Sequence, residues 1–494
     1  MAKKHLFDLI QSLSMSEKRF FKVFSSRHVI GNENDYVKLF DLIQGMDIYD
    51  EDLVVKAKFI KNSSAEKNYL YRLVLKSLNA YHAQNSFRTK VYDYLISIEV
   101  LFQKGLYSQA APLVEKALKL TEENEMFRQQ LVLTEIKEEL LLKNQQYDSA
   151  LKVLSTDFPL MDLVYNLMSL KDITTKGYSE NLAKGVVREN DDLISFKNLL
   201  KAPIVKNESL ALSKRARLHQ ISVQLTYNMV AGNNKKVLKY AGLILRHYET
   251  NTHLINTTPI GYVSSCFILG SAQIEPEDKL GIQNTLKRIE NSVNYESVKK
   301  SQKAVSFAFF YKHILLIQLN RINGEEKVII SQLQEIEELI SNHIKFITKP
   351  QLYDLYFQMA IAYFDVEAFK QSMKYTNEIL NDLSFKFRDD FMNSVKLFNL
   401  IVHFELGNDF TLDYLSKSTH NYLKRKNRLF EVERTLINFF TKYQLNLSSI
   451  SAKNELKKIE LKLTELKSDK YEKKAFQYFD YLIWVQSKLL NFKY

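Results

Sequence analysis

Ten histidines, one cysteine and several adjacent acidic pairs are the residues with which this 494-residue chain could do chemistry. A metal site or a general acid–base pair needs two or three such groups on one face. The histidines do not supply one: no two sit four apart in a single helix, and there is no His-Glu-x-x-His. His219, His313 and His403 lie singly in amphipathic stretches and read as partly buried structural residues. Asp191-Asp192 and Glu337-Glu338 are neighbours in sequence. Successive residues on a helix project about 100° apart, so neither pair can share a substrate. Both pairs read as solvated surface. Cys266, within "GYVSSCFILGSA", sits in an apolar segment and reads as an inert small hydrophobe. A single cysteine also excludes an intrachain disulfide and a Cys-based metal centre. The 12 glycines never fall in phosphate-loop or dinucleotide spacing. No Gly-x-Ser-x-Gly or calcium loop occurs. The expectation is a protein that is not an enzyme and holds no cofactor or metal.

What remains is recognition, and charge is the first guide to it. The net charge is +12. Residues 1–90 hold 15 basic and 10 acidic side chains, and residues 421–494 hold 16 and 8, so the excess lies at the two ends. A basic end can bind nucleic acid or an acidic partner. The densest cluster, Lys424, Arg425, Lys426 and Arg428, is the place where a polyanion would bind. Charge runs of this kind more often clothe solvated helix faces, and that is the reading preferred here. Near the N-terminus, "DYVKLFDLIQGMDIYDEDLVV" could be helix, turn at Gly45, helix, which invites a DNA-binding helix-turn-helix. The second helix, however, opens on Asp50-Glu51-Asp52. Three carboxylates there repel phosphates, whereas acids in a first turn suit the helix dipole. A packing domain is expected instead.

The elements that must position these residues are helices. Only 12 glycines and 6 prolines occur in the whole chain. Sheets draw on such residues at their many turns, so their scarcity favours long helices with short polar connections. The stretch "LFQKGLYSQAAPLVEKALKLTEE", 101–123, reads as a helix end, a turn at Gly105 and a second helix capped by Ser108. Pro112 is placed in its first turn, and Ala110 and Ala117 let the pair approach closely. Forty residues on, "LLLKNQQYDSALKVL" repeats the motif, with Tyr147 and Ala150 in place of Tyr107 and Ala110. Similar turns fall near 145, 232, 324, 367 and 407. The two wide intervals, 145–232 and 232–324, are each about two repeats long, so a degenerate hairpin is expected in each.

These residues resemble tetratricopeptide repeats. The best match is 353–382, with Tyr356, Met359, Ala360 and Tyr363 in the first helix and Phe369, Ser372, Thr376 and Ile379 in the second. In 94–120 the second helix fits through Tyr107, Ala110, Val114 and Ala117, while Ile98 replaces a small residue in the first. The period exceeds the usual 34 residues. The proline at the repeat end is missing almost throughout. The resemblance implies an all-α fold, a right-handed α-solenoid of stacked hairpins, and a non-catalytic scaffold for protein–protein interaction. It places Phe357, Ile361 and Phe364 toward a concave surface suited to a protein or peptide partner, with packing against a neighbouring hairpin as the alternative. A nucleic-acid-associated or regulatory role for the basic ends is the second functional reading.

The expected organisation is a helical N-terminal domain over 1–90, the repeat array over 91–445 and capping helices over 446–494. Ser14-x-x-Glu17 and Ser63-x-x-Glu66 are capping-box signals in the first part. In the last, Leu456, Ile459, Leu463 and Leu466 share one helix face. A helix over 471–490 is expected to turn Phe476, Phe479, Ile483, Trp484 and Leu490 inward and Lys473, Lys474 and Lys488 to water. The opening residues lack a secretory pattern and no apolar run is long enough to span a bilayer, so a cytoplasmic protein is expected.

Overall fold

The computed structural model describes residues 4–26, 35–57, 59–60, 62–83, 86–189, 191–382, 384, 388–443 and 449–491. Among these the chain is all helix and contains no strand. It divides into two compact units, 1–158 and 159–494.

The first unit opens with α1 (His5–Ser12), α2 (Met15–Ser26), α3 (Asp35–Gln44), α4 (Glu51–Val55) and α5 (Ser63–His82). Their apolar faces meet around Ile10, Phe21, Phe40, Ile43, Leu70 and Val74, all essentially without exposed surface. The Ser14–Glu17 capping box forms in both directions, and Glu17 also meets His82 Nε2 at 2.6 Å. The second expected box is displaced by one residue. Asn62, not Ser63, caps α5 by accepting from the Ala65 amide at 3.1 Å, because its extended backbone aims the amide oxygen at the orphan N–H groups. Helix α4 is only five residues long, and Asp50 caps it by accepting from the Asp52 and Leu53 amides. That geometry fits the dipole argument and gives no recognition helix.

Next come α6 (Phe87–Gln103), α7 (Tyr107–Glu123), α8 (Phe127–Lys143) and α9 (Tyr147–Lys184). Helices α6, α7 and α8 pack in succession on Ile98, Ala110, Val114, Ala117, Leu133 and Leu140. Ser108 is not the cap of α7: the helix already runs from Tyr107, and Pro112 lies inside it.

The second unit continues through α10 (Ile194–Lys201), α11 (Pro203–Lys206), α12 (Lys214–Ala231), α13 (Asn234–Thr250), α14 (His253–Thr257) and α15 (Pro259–Ile274). Then follow α16 (Lys279–Ser292), α17 (Glu296–Lys299), α18 (Gln302–Asn323), α19 (Glu326–Leu339), α20 (Lys349–Asp365) and α21 (Phe369–Leu380). The last five are α22 (Asp389–Glu405), α23 (Asp409–Arg425), α24 (Glu431–Tyr443), α25 (Ser449–Ser468) and α26 (Tyr481–Asn491). From α12 onward the long helices pack on their successors and often on the next but one, as α13 does on α15 and α18 on α20.

One turn is used throughout. At 105, 125, 145, 232, 277, 324, 367, 407 and 427 the residue is left-handed, with φ between 50 and 70°. At each, its amide donates to the carbonyl three residues back, and the next amide donates to the carbonyl five residues back, as in Gly105→Phe102 and Leu106→Leu101, both 2.9 Å. This doubly bonded ending satisfies carbonyls that a helix terminus leaves orphaned. The next helix begins within four residues. Five residues after eight of these turns a side chain is buried: Ala110, Ala150, Val237, Ile282, Ile329, Ser372, Leu412 and Val432. The turn therefore fixes which face of the following helix enters the core.

The interval 232–324 contains the expected hairpin, α15 and α16 about the turn at Glu277. The interval 145–232 does not. The 38-residue α9 occupies its first part, short helical pieces its middle and the 18-residue α12 its end. Gly177 lies inside α9 against Thr226 and Leu199 rather than in a turn; the helix ends only at Gly185.

The C-terminus also departs from expectation. Leu456, Ile459, Leu463 and Leu466 are buried together on α25. The segment after it is a 3-10 turn, Glu472–Gln477, followed by α26, which restarts where Asp480 accepts from the Leu482 and Ile483 amides. Tighter winding and a restart shift the face. Leu482, Trp484 and Val485 are buried, while Ile483 and Leu490 stand more than half exposed.

Candidate functional site

The residues proposed to face a peptide are core. Phe357 and Ile361 have no exposed surface. Phe357 packs edge-on against Phe391 and Phe398, both at 5.6 Å, and Phe364 lies half-buried against Phe369, Phe398 and Phe479. The Tyr478–Phe479 segment covers the face of α20 that the resemblance left open. These residues take the alternative role of packing against neighbours.

The basic cluster lies elsewhere in the same unit and is split by its surroundings. Lys424 and Arg425 end α23 in solvent. Lys426 pairs with Asp389 at 3.1 Å. Arg428 turns into a small inner cavity. Lys424 lines an open groove of about 400 Å³ together with Glu189, His420, Asn427, Leu429, Phe430 and Arg434. Phe430 forms part of both spaces.

The inner cavity was not foreseen. Its walls come from four segments far apart in sequence: the stretch after α9, the start of α22, the start of α24 and the 3-10 turn with Tyr478 and Tyr481. Gly185, left-handed at φ +66°, lies directly against the Asp390 carboxylate, where any Cβ would collide. The Val186 amide donates to Asp390 Oδ2 at 3.1 Å. Arg188 pairs with both Glu433 and Glu472, and its guanidinium sits 4.2 Å from the centre of the Phe430 ring. Glu472 has a second task. Its carboxylate accepts from the Glu431 and Val432 amides at 3.3 and 3.2 Å, so it caps α24 from a distant part of the chain. Lys474 donates to the Val187 carbonyl.

Burial sets the electrostatics. Glu433 is 2% exposed, and desolvation pushes its carboxyl above the usual range against the pull of Arg188. Lys474 is pushed down to about 8, first by burial and then by Lys470, Lys473 and Arg188. It is thus not the solvated lysine expected. Lys488 likewise pairs with Glu405, which also accepts from Trp484 Nε1 at 2.7 Å. The cavity measures about 30 Å³, room for a water molecule or two and for no organic substrate. The cluster is a latch joining the start of the second unit to its end.

One signal for the latch was present in the sequence. Glu433 shares the apolar face of α24 with Leu436, Ile437 and Phe440, an acid at a core position. Nothing local points to Arg188 as its partner.

The chemistry-bearing residues elsewhere are dispersed. Burial holds His219 and His313 down to about 4 and raises Cys266 to about 12. Glu337, though exposed, accepts the hydroxyls of Tyr363 and Tyr375. Among the described residues no group of His, Cys, Asp and Glu is arranged to hold a metal ion, and no helix is long and apolar enough to cross a membrane. No protein-family model matches the chain, and no curated protein sequence matches it significantly.

Proposed function

We propose that the chain is a non-catalytic helical-repeat scaffold that mediates protein–protein interaction in the cytoplasm. In this reading its hairpins stack as a right-handed, tetratricopeptide-like α-solenoid, with helical elements closing its ends. The observation that supports it is the recurrence of one unit, the doubly bonded left-handed turn followed five residues later by a buried side chain. A unit of this kind cannot bury its apolar face alone. Stacked copies bury it jointly and present long side-chain surfaces to partners. The open groove at Lys424 favours keeping a second reading, a nucleic-acid-associated or regulatory protein.

Affinity purification of the native full-length chain from its own cells, with and without nuclease, separates the two. A protein partner recovered in near-stoichiometric amount after nuclease treatment is the expected result. Recovery of nucleic acid alone, released steeply by salt, would replace the first reading with the second.

A further inference from the structure

Helix α23 carries a seam that no neighbouring element covers. Phe410, Tyr414, Lys417, Asn421 and Lys424 follow one another at spacings of four and three, so they share one face. Phe410 is 98% exposed, the most exposed large apolar side chain among the described residues, and Tyr414 is 71% exposed. The helix is not loose. Its other face, Leu412, Ser416, Thr419 and Leu423, is buried. Two aromatic rings one turn apart, held in water by a well-packed helix, form a patch rather than a stray exposure. The seam ends at the groove whose charged lining is His420, Lys424 and Arg434 against the single carboxylate of Glu189, beside Arg425. Lys424 and Arg425 have no acidic partner among the described residues, whereas Arg434 is drawn to Glu431 at 3.3 Å.

We propose that this seam binds an acidic amphipathic helix of a partner protein. Apolar side chains of that helix sit on Phe410 and Tyr414, and its Asp and Glu residues further along meet Lys424, Arg425 and His420. The seam spans about 20 Å, some four turns of a facing helix. Charge placement selects a peptide over single-stranded nucleic acid. A stacking platform needs cations beside its rings to hold the backbone. Here the rings are flanked by Asp409 and Asp413, and the nearest lysine in the seam, Lys417, is paired with Asp413 at 2.7 Å. The unpaired cations lie at the far end. This inference names the partner class of the proposed scaffold and rests on that reading.

A displayed library of random peptides of about 16 residues, panned on the immobilised full-length chain, tests it. Two double variants serve as comparators: Phe410→Ala with Tyr414→Ala, and Lys424→Glu with Arg425→Glu. All four side chains are exposed, and circular-dichroism melts verify that the variants fold. Enriched peptides should combine large apolar residues three or four apart with clustered Asp and Glu. They should bind each double variant at least ~10-fold more weakly. Failure to enrich, enrichment without acidic bias, or equal binding to the variants overturns the proposal. So does displacement of the peptides by an equal concentration of single-stranded oligonucleotide, which would assign the seam to nucleic acid. A native protein partner captured equally by both variants sinks the seam alone and leaves the scaffold reading standing.

Discussion

Gly105 and Gly185 have nearly the same backbone, with φ +70 and +66°, but opposite surroundings. A Cβ at Gly105 would meet nothing within 4 Å, while one at Gly185 would strike the Asp390 carboxylate. The first reverses the chain locally, its amide donating to the Phe102 carbonyl and the next amide, of Leu106, to that of Leu101. The second lets a carboxylate 205 positions later lie against the main chain. The comparison separates two sources of order in a repetitive helical protein. Hairpins are made by short-range rules that any turn of the set can satisfy. Closure of the second unit depends on a few charges that must all be present together.

The widest separation between the two regions should come from Arg188→Ala. It strands Glu433 as an uncompensated buried carboxylate and leaves Glu472 with only the α24 amides. Breaking one side of such a pair costs about 3–5 kcal/mol. Chemical denaturation with probes in each unit should show the loss in residues 159–494 and an unchanged first unit. A loss under 1 kcal/mol would mean that the latch is ornamental.

A smaller effect separates the regions by pH. Lys474 has a folded value of about 8, below that of an unfolded lysine. The unfolded chain therefore holds the extra proton above pH 8, and this group's contribution to stability rises with pH from about 8. The readout is the difference between wild type and Lys474→Gln, since Tyr478 and Tyr481, raised by burial, begin to oppose it near pH 10. That difference should move in favour of wild type by on the order of 1 kcal/mol between pH 8 and 10. A flat difference would place Lys474 outside the latch.

The smallest effects concern the turns themselves. Gly105→Ala has space for its methyl and should cost only the left-handed strain, about 1 kcal/mol. Gln145, at φ +56°, already bears that strain, so Gln145→Gly should stabilise by up to ~1 kcal/mol. Equal and opposite shifts in thermal midpoint would show that the repeated turns are interchangeable. Two shifts of the same sign would show that they are not.

Much of the hairpin pattern was legible because its signals are local. The breaks at 105, 145, 232, 324, 367 and 407 all proved left-handed. Gln145 and Glu367 carry no glycine mark but were found through the aromatic and small residues that follow them, Tyr147 with Ala150 and Phe369 with Ser372. Glu125 and Asn427 lack that pattern and were overlooked, and Glu277 was reached only as an unlocated hairpin between 232 and 324. The 38-residue α9 was not foreseen because the hairpin expected in 145–232 rested on the width of the interval alone, with no turn residue named inside it. Phe357 and Ile361 are buried instead; Phe357 packs on Phe391 and Phe398 of α22 and on Tyr478, which arrives from more than a hundred residues away. The latch was hidden for the same reason. Glu433 stands out as an acid among Leu436, Ile437 and Phe440, but the sequence between it and Arg188 holds nothing that pairs them.

The double use of Glu472 has a consequence for how this protein can change length. An open stack of hairpins gains or loses a whole unit at little cost, because each added pair merely moves the end further along. Here the chain leaves Arg188, passes through α12 to α25, and must return Glu472 to both that guanidinium and the first amides of α24. Inserting or deleting a pair of helices on the way should part Glu472 from Arg188. A change of length inside the second unit is therefore expected to cost the latch, where in an open array it would pass unnoticed.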